Sequence, residues 1–307
     1  MDRKTAVSGQ QITALVSAPR RVPRYRTAPC DAEMSPLVGD AAFRATVARS
    51  NNALIPANLA LYLHMPFCES LCLHCTCHTE LLSRRSTADR YAQAVIDEIE
   101  AKASLFDEDR RVTSLLVGGG TPLTIGLALL SQLIESVNAH FQMSDRPRPE
   151  MTIQVDSRIS PVRDYDDLVR LGFSRAQMTV ISEGRGTQQC INRKQPYEVV
   201  ARHIATAREC GFDEVDVVLR YGLPGEQPAS LRLSLLKLID MSPEAIRLVA
   251  EDYAPSAYPR QRLMPRALLP SASIQAESFL AMQQTLERAG YCYLGLDQFV
   301  LPGSAMH

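Results

Sequence analysis

Three times in this 307-residue chain a helical stretch closes on a glycine that is followed at once by an aromatic residue, in Leu171-Gly172-Phe173, Cys210-Gly211-Phe212 and Ala289-Gly290-Tyr291. Glycine takes the left-handed backbone conformation that ends a helix, and the aromatic restarts the chain as a strand. A device repeated at the spacing of one helix and one strand builds βα units, which assemble into a parallel sheet flanked by helices. The periodicity between the glycines agrees. Short β-branched or apolar runs at 59–65, 112–117, 151–155, 176–181, 214–220, 246–251 and, more weakly, 293–296 alternate with helical patterns at 90–106, 126–141, 161–171, 197–210, 229–239 and 274–289. The expected fold class is α/β, an incomplete parallel β/α barrel, with a doubly wound open sheet as the other arrangement compatible with the pattern. Residues 1–55 lack this period, and Pro19-Arg20-Arg21-Val22-Pro23-Arg24-Tyr25 reads as part of an extended N-terminal arm. Residues 56–300 then form the barrel domain and 301–307 a short tail.

Composition narrows the function classes. At 46% hydrophobic residues the chain can bury a large core and is not a disordered polymer. Its 33 basic and 34 acidic side chains leave no surplus charge for gripping phosphate backbones or an anionic membrane surface. No apolar run approaches the roughly 18 residues of a spanning helix, and Met1-Asp2-Arg3-Lys4 leads into polar sequence rather than a leader's apolar region. The expectation is a soluble cytoplasmic protein with no membrane insertion and no nucleic-acid partner.

The chemistry concentrates in the cysteines. Of eight, Cys68, Cys72, Cys75 and Cys77 fall within ten residues, while Cys30, Cys190, Cys210 and Cys292 are scattered. A disulfide framework spreads its cysteines over a small secreted domain, whereas a tight cluster in a chain of this size points to metal or redox chemistry. The spacing C-x3-C-x2-C-x-C places three thiolates on one loop, where they can each take one iron of a [4Fe–4S] cubane, a fourth iron then being open to an outside ligand. A zinc site helped by His64, His74 or His78 is the alternative, but structural zinc usually draws on two ligand pairs set well apart, and no second pair exists. Cys77 faces either cluster or substrate and is not assigned. A second motif, Val117-Gly118-Gly119-Gly120-Thr121-Pro122, directly follows a predicted strand. Its glycines allow close approach of a ligand to the backbone, and Thr121 offers a donor. Alone this is an ordinary strand-to-helix turn; one βα unit after the cysteine loop, it falls on the same C-terminal rim.

Together these residues resemble the radical S-adenosylmethionine (SAM) family, and within it the oxygen-independent coproporphyrinogen III oxidases. The resemblance runs collinearly through Tyr62 to Cys77, Gly118 to Pro122, Ile153-Gln154-Val155-Asp156, Leu171 to Arg175, Ile191-Asn192-Arg193, Tyr221 to Gly225, Asp252-Tyr253-Ala254 and Gly295 to Phe299. It implies a radical SAM barrel in which Cys68, Cys72 and Cys75 ligate the cluster. It also implies that Tyr62, Gly119, Gly120, Thr121, Gln154, Arg193 and Ala254 lie at SAM-contacting positions. The implied reaction is oxidative decarboxylation of two propionates of coproporphyrinogen III, through a 5′-deoxyadenosyl radical, to protoporphyrinogen IX in haem biosynthesis. A tetrapyrrole, an electron donor and a monomeric state go with it; no catalytic side chain is singled out. By the same resemblance Gln154 replaces a glutamate, Ile181 a glutamine, Val218 an aspartate (Asp216 is the nearest carboxylate) and Arg220 an apolar residue. A paralogue that binds haem or senses redox state, and a radical SAM enzyme with another substrate, are the alternatives. The subgroup continues past Gly295-Leu296-Asp297-Gln298-Phe299 into a helical C-terminal domain, which is expected to be absent here.

Overall fold

The computed structural model describes residues 39–306. Its main sheet is built from β1 (Leu59–Met65), β2 (Arg111–Gly119), β3 (Glu150–Val155), β4 (Arg175–Val180), β5 (Glu214–Tyr221) and β6 (Ala245–Ala250), paired in parallel in sequence order. Each of these six is laid beside the one before it, with a two-residue strand at Gln142–Met143 added to β2, and their order never reverses, which excludes the doubly wound arrangement, whose hallmark is a reversal at a switch point. The sheet ends in an antiparallel hairpin, β7 (Cys292–Gly295) and β8 (Gln298–Val300), with β8 against β6. Among the described residues nothing joins β7 to β1, so the barrel stays open.

The helices are α1 (Asp40–Asn51), α2 (Arg85–Ala103), α3 (Leu127–His140), α4 (Tyr165–Arg170), α5 (Arg185–Cys190), α6 (Tyr197–Cys210), α7 (Pro228–Asp240) and α8 (Ala272–Arg288). The three glycine endings behave as the sequence demands. Gly172, Gly211 and Gly290 have φ of 100°, 96° and 92°. In each, the aromatic N–H reaches back to the helix (Phe173 to Leu168 O at 3.1 Å, Phe212 to Ala207 O at 3.0 Å, Tyr291 to Leu286 O at 3.0 Å). This is the bonding of a Schellman cap. The aromatics are buried, so the cap also seats the next strand against the core.

Strand alternation divides the molecule into two environments. Ile153, Val155, Ala176, Met178, Val180, Val215, Val217, Leu219, Ile246 and Leu248 belong to the apolar core shared with the helices. Intervening positions such as Gln154, Gln177, Thr179 and Arg220 line a polar pocket on the other face. The inside of the open barrel is therefore polar. Across β3, β4 and β5, the side chain of Arg175 meets Glu150 at 3.3 Å, Glu214 at 2.5 Å and Asp216 at 2.9 Å. The chain's end reaches that network: Ser304 donates to Glu214 at 3.1 Å, and the Ala305 N–H donates to its other oxygen.

Several elements depart from the sequence reading, among them the expected helix at 161–171, of which Tyr165–Arg170 alone is α-helical. Helix α1 occupies part of 1–55, short α5 precedes Ile191, and the weak strand at 293–296 becomes one arm of a hairpin. The proline-rich segment at 19–25 lies outside the described residues.

Candidate functional site: a three-cysteine loop on the barrel rim

Strand β1 runs straight into the cysteine loop. Its two ends are held together by a short parallel pairing of Phe67–Cys68 with Glu80–Leu81, in which the Glu80 N–H bonds Pro66 O at 2.9 Å and the Leu82 N–H bonds Cys68 O at 3.1 Å. The tip is tied to the turn after α5: Leu73 N–H donates to Ile191 O at 3.0 Å, and the Asn192 amide donates to Leu71 O at 3.0 Å. Arg260 donates to the Thr79 hydroxyl at 2.8 Å and also to its carbonyl, fixing the loop's exit. A loop pinned at three places presents its thiols in a set geometry.

The glycine turn forms the facing wall. Gly120 N–H donates to Met65 O at 2.6 Å and Thr121 N–H to Phe67 O at 2.7 Å, so the turn continues the β1 to β2 pairing beneath the loop. A Cβ on Gly120 would meet Phe67 O at 2.5 Å, and one on Gly119, whose φ is +109°, would meet the His64 ring at 2.5 Å. Only glycine fits between these groups.

Cys68, Cys72, Cys75, Gly119, Gly120, Thr121, Gln154 and Arg193 line one pocket together. Two expected SAM-contacting residues do not. Tyr62 is half exposed with its hydroxyl on His64 Nδ1 at 2.9 Å, and Ala254 uses its N–H on Gln261 Oε1 at 2.6 Å. Cys77 also lines the pocket. Gln154 is engaged at both ends of its amide, accepting from the Gly119 N–H at 2.8 Å and donating to Gln177 Oε1 at 2.9 Å, its register partner on β4. Ile181 lies in a small apolar cluster with Ile191, Leu223 and Met264, beneath Leu73 of the loop.

Two residues absent from the expected set, Asp156 and Arg158, are central. Arg158 reaches Cys72 Sγ at 3.4 Å and Arg193 reaches it at 3.5 Å, while both ion-pair with Asp156 at 2.6 and 3.1 Å. Burial opposes ionisation of Asp156, but the guanidiniums of Arg193 and Arg158 prevail and hold its carboxyl well below the usual carboxylate range. The signal was present in sequence: Asp156 stands two residues beyond Gln154, just past the end of β3. Nothing in Arg158 itself announced the contact, which depends on a turn folding back. Burial raises the Cys68 thiol to about 11. Hydrogen bonding with Cys77 brings the Cys75 thiol down to about 5 against the effect of burial, with Thr79 and Arg220 acting in the same direction.

An open β/α barrel whose C-terminal rim holds a three-thiol loop over a glycine turn defines a class of cluster-bearing proteins. A family profile described as the Radical SAM superfamily matches residues 62–237, and the chain belongs to that superfamily. The chain is 33% identical over 280 residues to the oxygen-independent coproporphyrinogen III oxidase of Salmonella typhimurium, covering 91% of this chain and 60% of the relative. It is 32% identical to the Escherichia coli oxidase over the same shares. The solved structure of the Escherichia coli enzyme, described as a radical SAM enzyme, superposes with a TM-score of 0.83 at 31% identity, covering 92% of this chain and 64% of that one. The chain thus spans about 60% of the length of the curated relatives it matches.

The superfamily works with a [4Fe–4S] cluster and SAM, and the residues present fit both. Three thiols carried on one pinned loop and lining a single pocket suit a multi-iron cluster, whose irons take one thiolate each. Guanidiniums on Cys72 Sγ offset thiolate charge and orient the sulfur, as groups behind a metal's ligands do. Among the described residues no helix is long and apolar enough to cross a membrane.

Proposed function

We propose that the chain is a radical SAM oxidoreductase of the coproporphyrinogen III oxidase type, which converts propionate side chains of a tetrapyrrole to vinyl groups. The observation that carries this reading is the assembly of Cys68, Cys72 and Cys75 with Gly119–Thr121, Gln154 and Arg193 around one pocket, in a chain about one-third identical to named oxidases across nearly its whole length. When bound, the cluster and SAM supply one-electron chemistry able to remove a hydrogen atom from an unactivated carbon. The protein's part is positional. The pinned loop holds the three thiols, and Arg158 and Arg193 neutralise charge at Cys72. The Gly119–Gly120 backbone admits SAM closely, and the polar barrel interior receives a ligand that carries carboxylates.

Per propionate the balance is one hydrogen atom removed from the β carbon, one carbon dioxide released and one electron passed to an acceptor. Generating the hydrogen-abstracting radical from SAM would consume one electron in addition, so this reading also calls for an electron donor. This reading places the chain in the cytoplasm as a monomer with a tetrapyrrole substrate.

The test is anaerobic cluster reconstitution of the full chain, followed by addition of SAM, reductant and coproporphyrinogen III. Mass spectrometry should find 5′-deoxyadenosine together with substrate mass losses of one and then two HCOOH equivalents, each the sum of the carbon dioxide and the two hydrogen equivalents removed. A loaded cluster that yields no 5′-deoxyadenosine refutes the enzymatic reading. 5′-Deoxyadenosine without decarboxylation refutes the substrate.

A further inference from the structure

Three guanidiniums line the cysteine pocket, those of Arg158, Arg193 and Arg220, and their commitments differ. Arg158 and Arg193 share Asp156, a carboxylate that also lines the pocket, and both touch Cys72. Their charge is opposed where it stands. Arg220, at the end of β5, is braced instead by Glu251 at 3.0 Å, and the side chain of Glu251 is 0% exposed. The second Glu251 oxygen accepts from Gln261 Nε2 at 3.0 Å, and Gln261 is itself fully buried. Arg220 lines the pocket and Glu251 does not, so this ion pair turns its cationic end to the pocket and its anionic end into the protein.

One observation shows that the arrangement has capacity left: the Arg220 Nε is buried without a hydrogen-bond partner among the described residues. A planar guanidinium fixed from behind, with a donor unspent, is suited to accept a carboxylate in a charge-assisted pair.

We propose that Arg220 is the carboxylate-receiving residue of this pocket and sets which acidic ligand binds beside the cysteine loop. The identity of that ligand rests on the proposed function, which supplies two carboxylates of the right kind: the methionyl carboxylate of SAM and a propionate of the tetrapyrrole. The experiment separates them by equilibrium binding to the full-length chain under anaerobic conditions. SAM is measured by equilibrium dialysis. Coproporphyrin III and its uncharged tetramethyl ester are measured by fluorescence titration.

Arg220→Ile should weaken one of the two acidic ligands at least about tenfold, Arg220→Lys should recover part of that loss, and the ester should bind both proteins alike. A loss confined to SAM assigns the carboxylate to the cofactor, and a loss confined to coproporphyrin assigns it to the substrate. Equal affinities of wild type and Arg220→Ile for both acidic ligands overturn the proposal, as does an equal loss for the ester. Because Arg220→Ile leaves a buried carboxylate unpaired, the double variant Arg220→Ile/Glu251→Gln, which keeps an oxygen for Gln261, is read in the same way. These affinities do not require turnover, so they fail or hold independently of the 5′-deoxyadenosine assay.

Discussion

At the residue scale the site is a set of polar groups whose surroundings matter more than their identities. Gln154 shows this. Its amide joins Gly119 to Gln177, so a neutral bridge occupies a position at which the resemblance implies a glutamate. Gln154→Glu keeps an acceptor for the Gly119 N–H and adds a charge for the ammonium of SAM; a charged hydrogen bond is worth about 1.5–3 kcal/mol. The variant should bind SAM at least about tenfold more tightly by equilibrium dialysis, and unchanged affinity would mean that Gln154 does not face the cofactor. Glu226 makes the complementary point in the loop after β5. It accepts from the Gly222 N–H at 2.6 Å, while its other oxygen is buried without a hydrogen-bond partner among the described residues. Burial raises its pKa from 4.5 to about 7. A carboxyl whose pKa is higher folded than unfolded lends stability below about pH 4.5, and that contribution disappears as the pH rises through about 7. Glu226→Gln removes the titration. Denaturant melts from pH 5 to pH 8 should show the variant gaining on wild type by up to about 3 kcal/mol as pH rises, and a pH-independent difference would contradict the assignment.

At the scale of elements, much of the architecture was legible because it is set by short-range chemistry. The three glycine–aromatic endings announced three helix ends, and helix α6 runs over the predicted 197–210. What the sequence hid depends on partners remote along the chain. The predicted strand at 176–181 ends one residue early, at Val180. Beyond it Ile181 turns into the apolar cluster under the cysteine loop, where its N–H meets Gln195 at 3.2 Å. Arg158 was missed as a site residue because its role arises only when the turn after β3 folds back over Cys72, whereas Asp156 was readable from its place two residues beyond Gln154. Ile191-Asn192-Arg193 was singled out only by resemblance, and its physical reason is now apparent: two residues clamp the loop tip and the third reaches Cys72. The glycine run admits a graded test. A Cβ on Gly118 would collide with the movable Gln154 side chain at 2.5 Å, whereas one on Gly120 would collide with backbone, Phe67 O at 2.5 Å and Met65 O at 2.9 Å. Backbone cannot step aside without breaking the rim pairing. By urea denaturation Gly120→Ala should cost about 3 kcal/mol or more and Gly118→Ala about 1 kcal/mol. Similar costs would show that Phe67 and Met65 give way more easily than their hydrogen bonds imply.

At the scale of the whole molecule, the open barrel separates the source of stability from the source of chemistry. The apolar core fills the space between sheet and helices, while the concave side carries buried charge and a loop held largely by hydrogen bonds rather than by packing. Such a loop is among the parts of a fold that open most readily, so anything that joins its thiols should stabilise it in particular. A cluster that binds the folded chain and not the unfolded one raises stability by mass action, and the gain must pass through the contacts that hold the loop in place. Anaerobic loading should therefore raise the melting temperature by several degrees and protect the amides of residues 68–79 from hydrogen exchange more than those of α6 or β5. Cys72→Ala should abolish both effects together with iron and sulfide uptake, leaving the melting of the unloaded chain within about 1 kcal/mol of wild type. Asn192→Ala removes the amide that ties Leu71 to the turn after α5 and leaves every thiol in place. It should keep cluster uptake but lose part of the protection at the loop tip. If loading instead protected the whole sheet evenly, the loop and the barrel would open as a single unit, and the division between a rigid frame and a separately stabilised rim would be wrong.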